Sequence, residues 1–202
     1  MGIREKIISQ GVEPHGALGW VTAKIMPMFS DTYCGNLEEL LDLQPQDEVL
    51  DVACGSGSFL NKRAAQCRYV AGLDHSDVQY RMALKRMRDR IEAGTAEIVQ
   101  GDATALPWPD GRFSAVTSNC VGCFKQPREA VREMYRVLRP GGRAALAFDY
   151  YPDKEAALKA QQWWGLPTWT EPEVRQMIEE VGFTQVALSQ DKHSLFASAV
   201  KL

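Results

Sequence analysis

Residues 49–57 read V-L-D-V-A-C-G-S-G, a short apolar run carrying one acid, Asp51, and breaking into a turn on Ala53, Gly55 and Gly57. A glycine-rich turn between a strand and a helix lets backbone N–H groups approach a ligand at the carboxyl edge of a parallel sheet. Spacing narrows the ligand. A phosphate-cradling P-loop needs Gly-Lys-Ser/Thr after the turn, and no such sequence occurs here. The dinucleotide pattern G-x-G-x-x-G wants Gly or Ala at position 60 for close helix–strand packing, and Leu60 stands there.

Outward from this turn, short apolar runs alternate with helical segments. Strands are expected at 48–54, 69–74, 96–102, 113–120 and 143–150, with helices at 58–67, 77–92 and 128–138. Pro140-Gly141-Gly142 supplies the stop for the last helix. Strands alternating with helices imply a parallel sheet covered on both faces. Thr170-Glu171-Pro172-Glu173 has the form of a capping box, opening a helix that closes at Gly182. Runs at 183–189 and 194–200 follow, joined by four residues, a length suited to a hairpin. The expected fold is α/β: a doubly wound, seven-stranded, mostly parallel sheet ending in an antiparallel C-terminal hairpin.

A chain of 202 residues fits one domain. Its expected parts are an N-terminal segment (1–47), a ligand-binding core (48–150), an insertion (151–170) and a final helix with hairpin (171–202). Leu37, Leu40, Leu41 and Leu43 give the N-terminal segment an apolar helical face to pack on the sheet. Residues 20–29 are rich in Met and aromatics, which suits either core packing or a lid over the site.

Hydrophobic residues make up 45% and charged residues 24%, ordinary for a protein with a real core. A net charge of −3 argues against nucleic acid as partner. Arg81, Lys85, Arg86, Arg88 and Arg90 recur at helical spacing and read as a solvated helix face. Charges at Arg4, Glu5 and Lys6 replace the apolar run of a signal peptide, and Lys6 spoils a myristoylation signal. No apolar stretch approaches a membrane span. These features point to the cytoplasm and away from membrane insertion. The five cysteines, 34, 54, 67, 120 and 123, accordingly read as reduced thiols.

Taken whole, Asp51, Ala53, Gly55 and Gly57 resemble motif I of the class I S-adenosylmethionine-dependent methyltransferases: an acid, then three alternating glycines. Ala53 departs from the pattern as the ubiquinone and menaquinone C-methyltransferases of the type 11 branch also do. The order of the remaining motifs agrees. Asp74 ends the second strand nineteen residues after Gly55, where a carboxylate can accept from ribose hydroxyls, although capping of the helix at 77 would also explain it. Gly101-Asp102-Ala103, followed by A-L-P-W-P-D-G-R-F, is similar to the segment that meets the adenine edge. V-L-R-P-G-G at 137–142 matches the turn before the fifth strand.

The resemblance implies a Rossmann-like fold, S-adenosyl-L-methionine as cofactor, and a cofactor site of Tyr33, Asp51, Ala53, Cys54, Gly55, Ser56, Gly57, Asp74, His75, Ser76, Gly101, Asp102, Ala103, Asn119 and Cys120. It gives Asp51 the task of ordering the loop and approaching the methionine amino group. Methyl transfer is an in-line displacement at an activated carbon, so alignment and exclusion of water matter more than a catalytic triad. Ser118-Asn119-Cys120-Val121-Gly122 lacks the N-P-P-Y or D-P-P-Y of amino-directed enzymes and the acid of magnesium-dependent catechol-type ones. A metal is not expected.

Cys120-Val121-Gly122-Cys123, with Cys54 and Cys34, could bind a soft ion or cycle redox state, but one C-x-x-C without a second pair is better explained as buried thiols. Between strands five and six stand Tyr150, Tyr151, Trp163, Trp164 and Trp169, suggesting an apolar or aromatic acceptor. A helix over 153–164 packing on the sheet is the plainer account, yet adjacent Trp163 and Trp164 cannot both face inward. No catalytic residue is assigned; Tyr33, His15, Asp149 and Tyr150 are candidates for touching the reacting groups. Two other readings stay open: a methyltransferase-like binding subunit without turnover, and an NAD-type oxidoreductase, which Leu60 disfavours.

Overall fold

The structure, a computed structural model, describes residues 36–150, 155, 158, 159, 161, 162, 168–191 and 194–202. The central strands are β1 (Glu48–Val52), β2 (Tyr69–Asp74), β3 (Ala96–Gln100), β4 (Phe113–Ser118), β5 (Leu138–Asp149), β6 (Thr184–Gln190) and β7 (Ser194–Val200). They form a seven-stranded sheet in the order β3-β2-β1-β4-β5-β7-β6. The first five run parallel, and β7 is antiparallel to both β5 and β6. The chain starts in the middle, winds out to β3, and then returns to lay β4 on the other side of β1. This reversal opens a crevice at the carboxyl ends of β1 and β4, where such sheets bind ligands.

Side chains alternate between two buried faces, as strands covered on both sides require. Leu50, Val52, Ala71, Leu73 and Val116 face α3 (Pro127–Val137) and α4 (Glu171–Val181). Val49, Val70, Ala115, Ala147 and Phe196 face α1 (Ser58–Lys62), α2 (Asp77–Glu92) and helical residues 36–41. Leu37 and Leu41 are fully buried there, with Leu40 and Leu43 at the margin, as the leucine pattern predicts. The capping box forms, with Thr170 N–H donating to Glu173 Oε2 at 2.9 Å, and Gly182 closes α4 at φ +114°.

Several expectations are corrected. Helix α1 stops at Lys62 rather than 67, because Arg63 and Ala64 N–H both turn back to Phe59 O. The arginine series is not wholly a solvated face: Arg90 donates to the carbonyls of Ala64, Ala65 and Cys67, and Arg86 also points inward. Strands β1, β3 and β4 end two residues early, at Val52, Gln100 and Ser118, where the backbone leaves the ladder to form loops. Strand β5 begins early. Phe113 pairs with Leu138 and Ala115 with Arg143, so Pro140-Gly141-Gly142 is a bulge within the strand as well as a helix stop. Gly141 takes φ +75° there, and its N–H donates to Lys201 O at 2.7 Å.

The β6–β7 hairpin turns at the carboxyl edge, where Ser194 lies opposite Asp149 and donates its N–H to Asp191 Oδ1 at 2.8 Å. Residues 155, 158, 159, 161 and 162 of the 153–164 segment are helical and exposed. Among the described residues, no helix is long and apolar enough to cross a membrane.

Candidate functional site

Beyond β1 the backbone alternates into the left-handed region at Ala53 (φ +60°), Gly55 (+55°) and Gly57 (+74°). Glycine suits this, while Ala53 carries a methyl group where an L-residue costs about 1–2 kcal/mol. The loop is fastened from several sides. Cys54 N–H donates to Leu73 O at 3.0 Å and Gly57 N–H to Cys54 O at 2.9 Å. Gly55 N–H donates to Asp74 Oδ2 at 2.8 Å, and Arg86 donates to Ser56 O and Oγ at 2.8 and 2.6 Å. A Cβ on Gly55 would meet nothing nearer than the Gln79 side chain at 3.9 Å, so this part of the turn is open to a ligand.

The loop-ordering task expected of Asp51 therefore falls to Asp74 and Arg86. Asp51 is buried, and no hydrogen-bond donor among the described residues holds its carboxylate. Burial, and then the nearby charge of Asp74, push its carboxyl well above the ordinary range. Asp74 also accepts Ser76 N–H on Oδ1 at 2.9 Å. Burial raises its proton affinity while these two N–H groups pull it back. Ser76, rather than Asp74, caps α2, accepting Gln79 N–H. His75 is exposed at the same strand end, and its carbonyl accepts Gln100 Nε2 at 3.1 Å.

Leu60, which breaks the dinucleotide pattern, still packs tightly on the sheet. A Cβ on Gly72 would lie 2.9 Å from Leu60 Cδ1 and 2.8 Å from Cys54 Sγ, so the close approach is conceded by the strand instead of the helix. Burial, with Asp51 and Asp74 behind it, pushes the Cys54 thiol well up.

Gly101 N–H donates to Asp74 O at 3.1 Å, seating Gly101, Asp102 and Ala103 against the end of β2. Asp102 is exposed, and Thr104 donates to its Oδ1 from both N–H and Oγ1, holding the carboxyl below its usual value. Its Oδ2 has no partner among the described residues. The following L-P-W-P-D-G is structural: Trp108 is buried with Nε1 on Glu97 Oε1 at 2.6 Å, and Arg136 grips Leu106 O, Trp108 O and Asp110.

At the end of β4, Asn119 and Cys120 are half-buried before a 3-10 turn, Val121–Cys123. A hydrogen bond with Cys123, then burial, push the Cys120 thiol well up, with the charges of Asp74 and Asp51 adding to the effect. Cys123 Sγ donates to Asp149 Oδ2 at 3.6 Å. Among the described residues, no group of three or more His, Cys, Asp or Glu is placed to hold a metal ion. Trp169 is edge-on to Phe148 at 5.8 Å, and its Nε1 lies 2.9 Å from where a Gly122 Cβ would stand. Tyr150 is half-buried against the same core. Tyr33, His15, Cys34, Tyr151, Trp163, Trp164 and residues 20–29 lie outside the described residues.

The structure thus gathers Asp51, Ala53 to Gly57, Asp74, His75, Ser76, Gly101 to Ala103, Asn119 and Cys120 along one sheet edge. Sequence reasoning missed Gln79, Arg86 and Gly72. A signal for Gln79 existed: it shares the helical face of Ala83 and Met87, so a polar side chain stood at a core position.

A family model described as a methyltransferase domain matches residues 50–146. The chain is 36% identical over 109 residues to a ubiquinone/menaquinone biosynthesis C-methyltransferase of Ectopseudomonas mendocina, covering 52% of this chain and 43% of that protein. It is 34% identical over 128 residues to the chloroplastic 2-phytyl-1,4-beta-naphthoquinone methyltransferase of Arabidopsis thaliana, covering 58% of this chain and 47% of that one. The chain therefore spans about half the length of the curated relatives it matches. In fold it is similar to the geranyl diphosphate C-methyltransferase of Streptomyces coelicolor A3(2), with a TM-score of 0.73 at 12% identity over 96% of this chain and 88% of that one.

Proposed function

We propose that the chain, whose residues 50–146 match a methyltransferase-domain family model, transfers methyl groups from S-adenosyl-L-methionine to a small, apolar or aromatic acceptor, without a metal. The observation that carries this reading is a bare, left-handed loop beside two buried carboxyls. Two adjacent buried acids repel one another, and a positively charged ligand relieves the cost. The donor brings an ammonium and a sulfonium, so the residues present fit it. When bound, it supplies a methyl group open to in-line displacement at carbon, oxygen or nitrogen.

Each residue then has a task. Gly55 and Gly57 keep the loop clear of side chains beneath the methionine and ribose portions, with Cys54 and Ser56 as floor. Asp51 faces the ammonium group. Asp74 holds the loop through Gly55 and keeps lone pairs for the ribose hydroxyls. Asp102 and Ala103 meet the adenine edge, while His75, Ser76, Asn119 and Cys120 line the walls. Residues 48–150 act as the cofactor core and 151–170 as the acceptor insertion of one domain. The quinone-directed names of the relatives support an apolar ring as acceptor. Free thiols at Cys54, Cys67, Cys120 and Cys123 support a reducing, cytoplasmic setting.

The test is transfer of tritiated methyl from S-adenosylmethionine to a panel of apolar small molecules, read by extraction into organic solvent. Label in the organic phase, dependent on the protein, is the expected result. Cofactor binding without transfer to any panel member, together with a recovered protein partner, would replace this reading with that of a silent binding subunit.

A further inference from the structure

Strand β5 ends at Asp149, two strands from the loop-bearing β1, which at sheet spacing is about 10 Å away. Its Cα partner across the β5–β7 ladder is Ser194, the first residue of β7. By strand alternation both side chains fall on the face shared by Ala147 and Phe196. Side chains directly opposite in an antiparallel pair have Cβ atoms about 4.5–5.5 Å apart.

Among the described residues, the Ser194 hydroxyl is unpaired and the Asp149 carboxyl has one weak donor. Ser194 is only 2% exposed, and its Oγ has no hydrogen-bond partner among the described residues. The Asp149 carboxyl is partnered, among the described residues, by the Cys123 thiol at 3.6 Å, a weak donor. Leaving a buried hydroxyl unpaired costs about 1–3 kcal/mol. Burial also pushes the Asp149 carboxyl above its usual value, with the thiol pulling the other way. Among the described residues, the titratable groups facing it from adjoining elements are Cys123 and, behind it, Cys120. A cavity of about 340 Å³ lies next to these residues without being lined by them: Asp191, which accepts the Ser194 N–H, borders it together with Leu40, Gln190 and Phe196.

We propose that Asp149 and Ser194 form the acceptor-recognition pair of this site, and that the acceptor they select carries a free hydroxyl, as a phenol or an enol does. Asp149 accepts the hydroxyl proton in a hydrogen bond, and Ser194 Oγ donates to the same oxygen. A methyl ether of the same ring satisfies only Ser194. This inference deepens the methyltransferase reading and rests on it.

The test loads the protein with S-adenosylhomocysteine and titrates it calorimetrically with 1-naphthol and with 1-methoxynaphthalene. The wild type is expected to bind the naphthol about tenfold more tightly than the ether, the loss of one hydrogen bond to a charged group. Asp149→Asn is expected to erase most of that preference, whereas Ser194→Ala is expected to weaken both probes alike and keep it, with S-adenosylhomocysteine affinity and melting temperature unchanged or slightly raised in each. Equal binding of the two probes, binding of neither, or a preference that survives Asp149→Asn overturns the proposal. Should Asp149→Asn fail to fold, Ser194→Ala decides with the same probes: weaker binding of both supports the pair, and unchanged affinity for both overturns the proposal. Failure of the wild type to bind S-adenosylhomocysteine overturns the underlying reading, and this inference with it.

Discussion

Asp51 lies at the end of β1, 4% exposed, with Asp74 as its electrostatic neighbour and no donor among the described residues. Its folded carboxyl holds a proton more firmly than the unfolded chain does, so between the ordinary carboxylate value and the raised one the folded state binds more protons. Stability contributed by this group is therefore present at low pH and lost as pH rises through that window. At neutral pH Asp51 destabilises the ligand-free fold. Asp51→Asn is expected to raise the melting temperature of the ligand-free protein while weakening S-adenosylhomocysteine binding by about 10- to 100-fold, the scale of one charge-assisted contact. Calorimetry and thermal unfolding on the same variant check both signs. A loss of stability without a loss of affinity would assign Asp51 a structural role. The acids were legible in the sequence because each follows a strand at motif spacing. Ser194 was not, because its meaning depends on a register with Asp149 that nothing local encodes.

Helical residues 36–41 are tied to the sheet by one buried acid. Asp47 Oδ2 accepts from Arg143 at 2.6 Å and from Gln44 N–H at 2.8 Å, and Oδ1 accepts the Ser114 hydroxyl at 2.7 Å. Arg143 reaches on to Leu41 O at 2.8 Å. Burial alone would raise the Asp47 carboxyl, but these donors and the Arg143 charge outweigh it and hold the carboxyl below its ordinary value. The folded state here binds fewer protons, so the stabilisation is present above the ordinary carboxylate value and lost as pH falls through the lowered one. Asp47→Asn should cost about 2 kcal/mol at pH 7, the range for a hydrogen bond to a charged group, and should flatten part of the acid limb of stability against pH. Denaturant unfolding at pH 7 and pH 3 measures it; an unchanged pH dependence would remove Asp47 from the account. Element identity was legible here, since the leucine spacing marked the helix. Its anchoring was not, because Asp47 and Arg143 are 96 positions apart. The same limit explains β5, whose bulge at Gly141 exists to pair with Lys201 at the far end of β7.

At the scale of the whole molecule, the order β3-β2-β1-β4-β5-β7-β6 sets the strand ends in a row: the loop and Asp74 on β1 and β2, Cys120 after β4, Asp149 and Ser194 on β5 and β7. The strand ends carrying the loop and those carrying Asp149 and Ser194 thus occupy neighbouring stretches of one edge. Alternation of strands and helices made this architecture legible before any coordinates, because periodicity is carried by every residue of an element. The strand order and the face each polar side chain occupies were fixed only by packing. The central claim is that the edge was built for a nucleoside carrying an amino acid rather than for a dinucleotide. Calorimetric titration of the wild type with S-adenosylhomocysteine and, separately, with NADH tests it most directly. The account predicts one-to-one binding of S-adenosylhomocysteine at about micromolar affinity, roughly −8 kcal/mol, with no heat from NADH; saturable binding of NADH, or none of S-adenosylhomocysteine, would contradict it.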